Sequence, residues 1–164
     1  NQQRTIHSLG CRMILERGNM WDAFGRGIFM ITTNPMQRKD GAVVMGRGIA
    51  LEAKTRFPQL PYDFGKILTQ NFQQDTPKYA GLIGKYSIHE IPIWYFMVKS
   101  HWANNADLYI ISESIKDLAE TLKNPQVRVD LNFPGIGNGK LKREEVLPLL
   151  EQLPDNIHIW EYAN

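Results

Sequence analysis

Apolar positions along this chain fall into two kinds of run. One kind is short: "GIFMITT" at 27–33 and "IPIWYFMV" at 91–98, which are densely apolar, and "VRVDLNF" at 127–133 read as buried strands. "RMILE" at 12–16 alternates as a strand does, and "NIHIWEY" at 156–162 closes the chain as another. The other kind returns every three or four residues. Leu108, Ile111, Ile115, Leu118 and Leu122 share one face of a helix predicted over 106–123. "GIALEAKTRF" begins after a glycine pair and stops at Pro58, and a shorter helix is predicted over 61–72. Val146, Leu150 and Leu153 mark a last helix, in which Pro148 must cost a hydrogen bond or force a kink. Strands alternating with helices predict an α/β fold, a three-layer αβα sandwich around a largely parallel or mixed central sheet. No repeat or linker breaks the pattern, so residues 1–164 are expected to form a single domain.

Composition narrows the setting. At 164 residues and 43% hydrophobic, the chain can fill one core but not two. Its 19 basic and 17 acidic residues leave a net charge of +2, too small a field for non-specific nucleic-acid binding as a sole function. Local single-strand contacts through Tyr86, Trp94, Trp102 and scattered arginines stay open. Only Cys11 is present, and His7, His89, His101 and His158 lack the spacing of a zinc site, so neither disulfide framework, metal nor cofactor is expected. The apolar run at 91–98 is far short of a membrane span and the polar start "NQQRTIHS" is no signal peptide. A reducing, cytoplasmic setting without membrane partners follows as the expectation.

Candidate chemistry gathers in two glycine loops, "VVMGRGIALEA" at 43–53 and "FPGIGNGKLKREE" at 133–145, each placed between a strand and a helix. Neither is a familiar nucleotide loop. The second fails the G-x-x-x-x-G-K-[ST] pattern at Pro134 and Leu141, and the first lacks the third glycine of the dinucleotide fingerprint at Leu51. Glycines nonetheless let the backbone turn its amides toward an anion, and a helix start adds unpaired N–H groups carrying partial positive charge. One diphosphate held between both loops would account for the pair; tight strand-to-helix turns are the bland alternative.

"TTNPMQRKDGAVVMGRGIALEAKTRFP" (32–58), "FMVKSHWANNADL" (96–108) and "NFPGIGNGKLKREEV" (132–146) resemble, in this order, the macrodomain superfamily, which binds ADP-ribose. The resemblance is to the branch holding terminal ADP-ribose glycohydrolases and the antitoxins that remove ADP-ribose from DNA. It runs from about residue 12 to the chain end, and the M-G-R-G-I-A and P-G-x-G-N-G blocks are its most specific parts. It implies that Gly46, Arg47, Gly48 and Ile49 clamp one side of the diphosphate. Pro134, Gly135, Ile136, Gly137, Asn138 and Gly139 would then wrap the diphosphate and distal ribose from the other. Asn34 matches the asparagine that holds the distal ribose, a task suited to an amide because it donates and accepts at once; a turn-forming residue before Pro35 is the alternative. Lys99 matches the catalytic lysine of the branch. With Trp94, Phe96 and Trp102 around it, desolvation is expected to lower its pKa and free a nucleophilic amine. His101 and Trp102 complete the "KSHW" stretch.

Two departures qualify what the resemblance implies. Lys142 stands where the glycohydrolase pattern has an aspartate, with Glu144 and Glu145 close by in sequence. In "RGNMWD" (17–22), Asn19 stands where the family has the aspartate that accepts from the adenine amino group, and it keeps an acceptor but loses the charge-assisted bond. The implied function is hydrolysis of ADP-ribose from modified DNA or protein, with a cognate ADP-ribosyltransferase among the implied partners. A non-catalytic ADP-ribose reader and an ADP-ribose phosphate phosphatase are the alternatives.

Overall fold

A computed structural model describes residues 12–73, 82–100 and 104–162. Among these residues seven strands make one mixed sheet. In chain order they are β1 (Ile14–Arg17), β2 (Ile28–Thr33), β3 (Ile83–Gly84), β4 (Ser87–Ile88), β5 (Ile91–Met97), β6 (Val129–Asn132) and β7 (Ile157–Glu161). The spatial order is β1-β7-β6-β2-β5-β3, with β4 also paired to β5. The pairs from β1 through β5 are parallel, while β3 and β4 run antiparallel to β5. The α-helices of the described residues that cover the sheet are α1 (Gly48–Arg56), α2 (Leu60–Gln73), α3 (Leu108–Thr121) and α4 (Arg143–Leu150).

Period-two side-chain alternation divides the apolar residues of the inner strands between two cores. Met30, Trp94, Phe96 and Leu131 pack with Ile111, Ile115 and Leu118 of α3 and Val146 and Leu150 of α4. Phe29, Ile31, Ile93, Tyr95 and Met97 face the other way, onto Ile49, Ala50 and Ala53 of α1 and Leu60, Phe64 and Leu68 of α2. Helices on both faces give the three layers that the sequence predicts.

Several boundaries differ from the expectation. β1 starts two residues later than "RMILE", and β5 stops at Met97. α3 begins at Leu108 because Asp107 caps it, its Oδ1 accepting from the amides of Tyr109 at 2.8 Å and Ile110 at 3.4 Å. β3 and β4 are absent from the sequence reading; at two residues each they are too short to show a period, and their pairing with β5 is what defines them. Pro148 lies inside α4, where an eight-residue helix with an exposed proline carries the lost N–H without ending. Among the described residues no helix is long and apolar enough to cross a membrane.

Candidate functional site

Because β7, β6, β2 and β5 are parallel neighbours, their C-terminal ends emerge along one edge of the sheet, the place where open α/β sheets form crevices. A cleft of about 1070 Å³ opens there. Its floor is made of strand ends: Thr32 and Thr33 of β2, Val98 and Lys99 after β5, Asn132 and Phe133 at β6, Trp160 and Glu161 of β7. Asn132 locks two of these together, its Oδ1 accepting the Thr32 amide at 3.0 Å and its Nδ2 donating to Thr32 Oγ1 at 2.8 Å.

The two glycine loops form facing walls. A Cβ placed on Gly48 would stand 3.7 Å from Asn138 Nδ2 of the opposite loop. Gly48 opens α1 with a left-handed φ of +57°, and Arg47 before it supplies no side-chain cap. The first helix bond is Leu51 N–H to the Arg47 carbonyl at 3.2 Å, so the amides of Gly48, Ile49 and Ala50 precede any helical acceptor and line the cleft. In the second loop, the turn bonds run from Gly139 to Ile136, Lys140 to Gly137 and Leu141 to Gly135, which leaves the amides of Ile136, Gly137 and Asn138 outside them. Two sets of N–H groups outside these bonds thus belong to residues lining one cleft, an arrangement suited to an anion.

The charges agree. Arg38, Arg47, Lys99 and Lys140 line the cleft, and Glu161, the one lining carboxylate among the described residues, is held by Arg143 at 2.8 and 3.1 Å. Lys99 is half-buried, and its pKa lies below the ordinary lysine value, through loss of solvent first and the neighbouring Arg47 guanidinium second. Two of the three aromatic residues expected around it are placed elsewhere. Trp94 and Phe96 belong to the core beneath and do not line the cleft, and Lys85 sits 5.4 Å from the Trp94 ring centroid. His101 and Trp102 lie outside the described residues, as do His7 and Cys11.

Asn34 lines the cleft and also shapes it: Oδ1 accepts from the Met36 amide at 2.9 Å and Nδ2 donates to the Val44 carbonyl at 3.0 Å. The two bonds are those of the turn-forming alternative, and they leave one amide hydrogen of the side chain uncommitted. The cleft brings Asn34 and Lys99 together with Gly46, Arg47, Gly48 and Ile49 from the first loop and Gly135 through Gly139 from the second. It does not include Asn19 or Pro134. Asn19 is exposed and caps the 3-10 turn Met20–Ala23, accepting from Trp21 N–H at 3.0 Å, while its neighbours Gly18 and Met20 reach the cleft. Pro134 is buried beneath the loop. Lys142, Glu144 and Glu145 also lie off the cleft: Lys142 is the exposed N-cap of α4, and its amide donates to Glu145 Oε1 at 2.9 Å.

Sequence reasoning missed Thr32, Thr33, Asn132 and the β7 end. The rule that ligands sit beyond the carboxyl ends of parallel strands would have found them, since each closes a strand already recognised. At that end Trp160 is fixed by its Nε1 donating to buried Asp130 at 2.8 Å, and Tyr162 OH donates to Glu52 Oε2 at 2.8 Å while Trp21 Nε1 donates to Oε1 of the same carboxylate at 2.8 Å.

No protein-family model matches the chain. It is similar to a DNA ADP-ribosyl glycohydrolase of Thermus aquaticus, 28% identical over 127 residues, which is 73% of this chain and 34% of the relative; the chain thus spans about a third of that protein's length. Among solved structures, the macrodomain of Thermus aquaticus DarG superposes with a TM-score of 0.68 at 25% identity, covering 93% of this chain and 98% of that one. Thermosipho africanus DarTG in complex with ADP-ribose gives a TM-score of 0.70 at 20% identity over 92% of this chain and 42% of the other. The macrodomain of Mycobacterium tuberculosis DarG gives 0.65 at 23%, over 93% and 97%. These last two likenesses are of fold.

Proposed function

We propose that this chain, a macrodomain similar to that of DarG, binds ADP-ribose in the cleft at its strand ends and hydrolyses it from a modified macromolecule. The observation that carries the reading is the pair of facing amide walls, Gly48–Ala50 against Ile136–Asn138, with Lys99 at the same cavity. A diphosphate between them takes hydrogen bonds to a charged group, worth about 1.5–3 kcal/mol each. The start of α1 adds about 0.3–1 kcal/mol from its dipole. The distal ribose then lies toward Asn34 and Lys99. A neutral Lys99 amine has the lone pair to attack the anomeric carbon; as the C–N bond forms, the bond to the macromolecule breaks with its electron pair leaving on that side, and water then cleaves the lysine adduct. A lowered lysine pKa supports this role, because more of the amine is neutral near physiological pH. The DNA named for the Thermus aquaticus relative makes nucleic acid the first substrate class to try, and a transferase that installs the mark is the counterpart reaction.

One observation favours a second reading, an ADP-ribose reader without turnover. Lys142 replaces the branch's acid, and among the described residues no lining carboxylate is free, since Arg143 holds Glu161. A panel of ADP-ribosylated DNA, RNA and protein, offered to wild type and Lys99→Ala, separates the two. Release of ADP-ribose by wild type alone supports hydrolysis, whereas binding without release from any linkage leaves the reader.

A further inference from the structure

The two glycine loops follow β2 and β6, and Lys99 follows β5. Because the sheet runs β1-β7-β6-β2-β5, the ends of β1 and β7 lie on the side of the loops away from Lys99. A ligand with its diphosphate between the loops and its distal ribose toward Lys99 therefore has its nucleobase over that side, where Gly18, Met20, Trp160, Glu161 and Tyr162 line the cleft.

Every polar side chain among these five residues already has a partner. Trp160 Nε1 donates to buried Asp130 at 2.8 Å, Tyr162 OH donates to Glu52 Oε2 at 2.8 Å, and Arg143 takes both oxygens of Glu161. Alternation at the end of β7 sends Glu161 toward Arg143 of α4 and leaves Trp160 and Tyr162 on the side of α1. Asn19 lies off the cleft, and its Oδ1 is spent on the Trp21 amide. What these side chains offer a base is flat and apolar: Met20, the Trp160 ring and the ring of Tyr162, which is 55% exposed. The Tyr162 ring is tied to α1, because Glu52 takes its hydroxyl and is itself fixed by Trp21 Nε1 at 2.8 Å. An aromatic face attracts every base, whereas telling one purine from another takes a donor or acceptor at the base edge.

Resting on the ADP-ribose reading, the geometry points to a cleft that grips its nucleobase by the face and does not read its edge, with Tyr162 as the gripping residue and purine nucleoside diphosphate riboses in general as the ligand class. Hypoxanthine is the discriminating base, since its O6 accepts where the adenine amino group donates and its N1 donates where adenine N1 accepts. Uracil offers a smaller face.

Calorimetry on the wild-type protein with ADP-ribose, its hypoxanthine counterpart and its uracil counterpart tests the inference. The two purine ligands should bind within about threefold of each other, because no side chain reads the edge that distinguishes them. The uracil ligand should bind at least about fivefold more weakly. Tyr162→Ala should weaken both purine ligands by one common factor of at least about fivefold and bring them level with uracil, and Tyr162→Phe, which keeps the ring, should restore most of the loss. ADP-ribose preferred over its hypoxanthine counterpart by more than that margin, uracil bound as tightly as the purines, or Tyr162→Ala equal to wild type overturns the face grip and leaves the ADP-ribose reading standing. Failure of wild type to bind ADP-ribose removes both.

Discussion

Asn132 at the end of β6 holds Thr32 at the end of β2 by two side-chain bonds, 3.0 Å from the Thr32 amide and 2.8 Å to its hydroxyl. The strands are already paired at Met30 and Leu131, so this clamp extends the sheet by one polar rung into the cleft floor. Asn132→Ala leaves the Thr32 amide without its partner and is expected to cost about 1–3 kcal/mol, read as a lower urea midpoint. A midpoint within error of wild type would mean that water replaces the clamp freely.

The glycine loops separate structural need from ligand need. Gly135 combines a φ of +85° with a prospective Cβ 2.8 Å from Ile111 Cδ1 and Leu141 Cδ1, so Gly135→Ala is expected to cost about 1–3 kcal/mol. Gly46 has no atom within 4 Å of a prospective Cβ. Gly46→Ala should therefore keep the wild-type Tm while ADP-ribose affinity falls about tenfold, or about 1.4 kcal/mol, because the methyl occupies ligand space. Thermal melting and calorimetry on the two variants check both statements.

Lys99 supplies a pH dependence. Its folded pKa lies below the ordinary 10.5, through burial and then Arg47. Between the lowered value and the unfolded one, the unfolded chain holds a proton that the folded chain lacks, so this group makes stability rise with pH across that window. Lys99→Met should flatten that rise in urea midpoints taken from pH 8 to about 10.5. Hydrolysis should climb with pH toward the lowered value, and Arg47→Gln, by removing a cation, should move that limb to higher pH. Release that is constant across the range contradicts a neutral-amine nucleophile.

Lys142→Asp isolates the missing acid. The position is the exposed N-cap of α4, off the cleft, where aspartate accepts from the first-turn amides and favours the helix dipole. Stability is expected to rise by about 0.5–1 kcal/mol, with the release rate unchanged. A gain in release would put residue 142 within reach of the ribose after all.

The layers and the parallel core of the fold were legible because β2 and β5 are dense apolar runs, because β6 alternates as a strand does, and because Leu108 through Leu122 repeat at helical spacing. The two-residue strands β3 and β4 were not, since tertiary pairing with β5 defines them. In the site, the glycine loops could be read because backbone freedom is written in residue type. The floor could not: Thr32 and Asn132 are 100 residues apart and become neighbours only through sheet order. Surroundings were misjudged for the same reason. Trp94 and Phe96 precede Lys99 closely, but alternation along β5 sends them into the core beneath α3, away from the cleft.

The central claim is that the amides of Gly48–Ala50 and Ile136–Asn138 grip one diphosphate. Calorimetric titration of the wild-type protein with ADP-ribose, repeated with Gly46→Ala, tests it most directly. The account predicts saturable one-to-one heat for wild type, a rise in Tm with ligand, and weaker binding to the variant at equal stability; no heat and no Tm shift at millimolar ADP-ribose would contradict it.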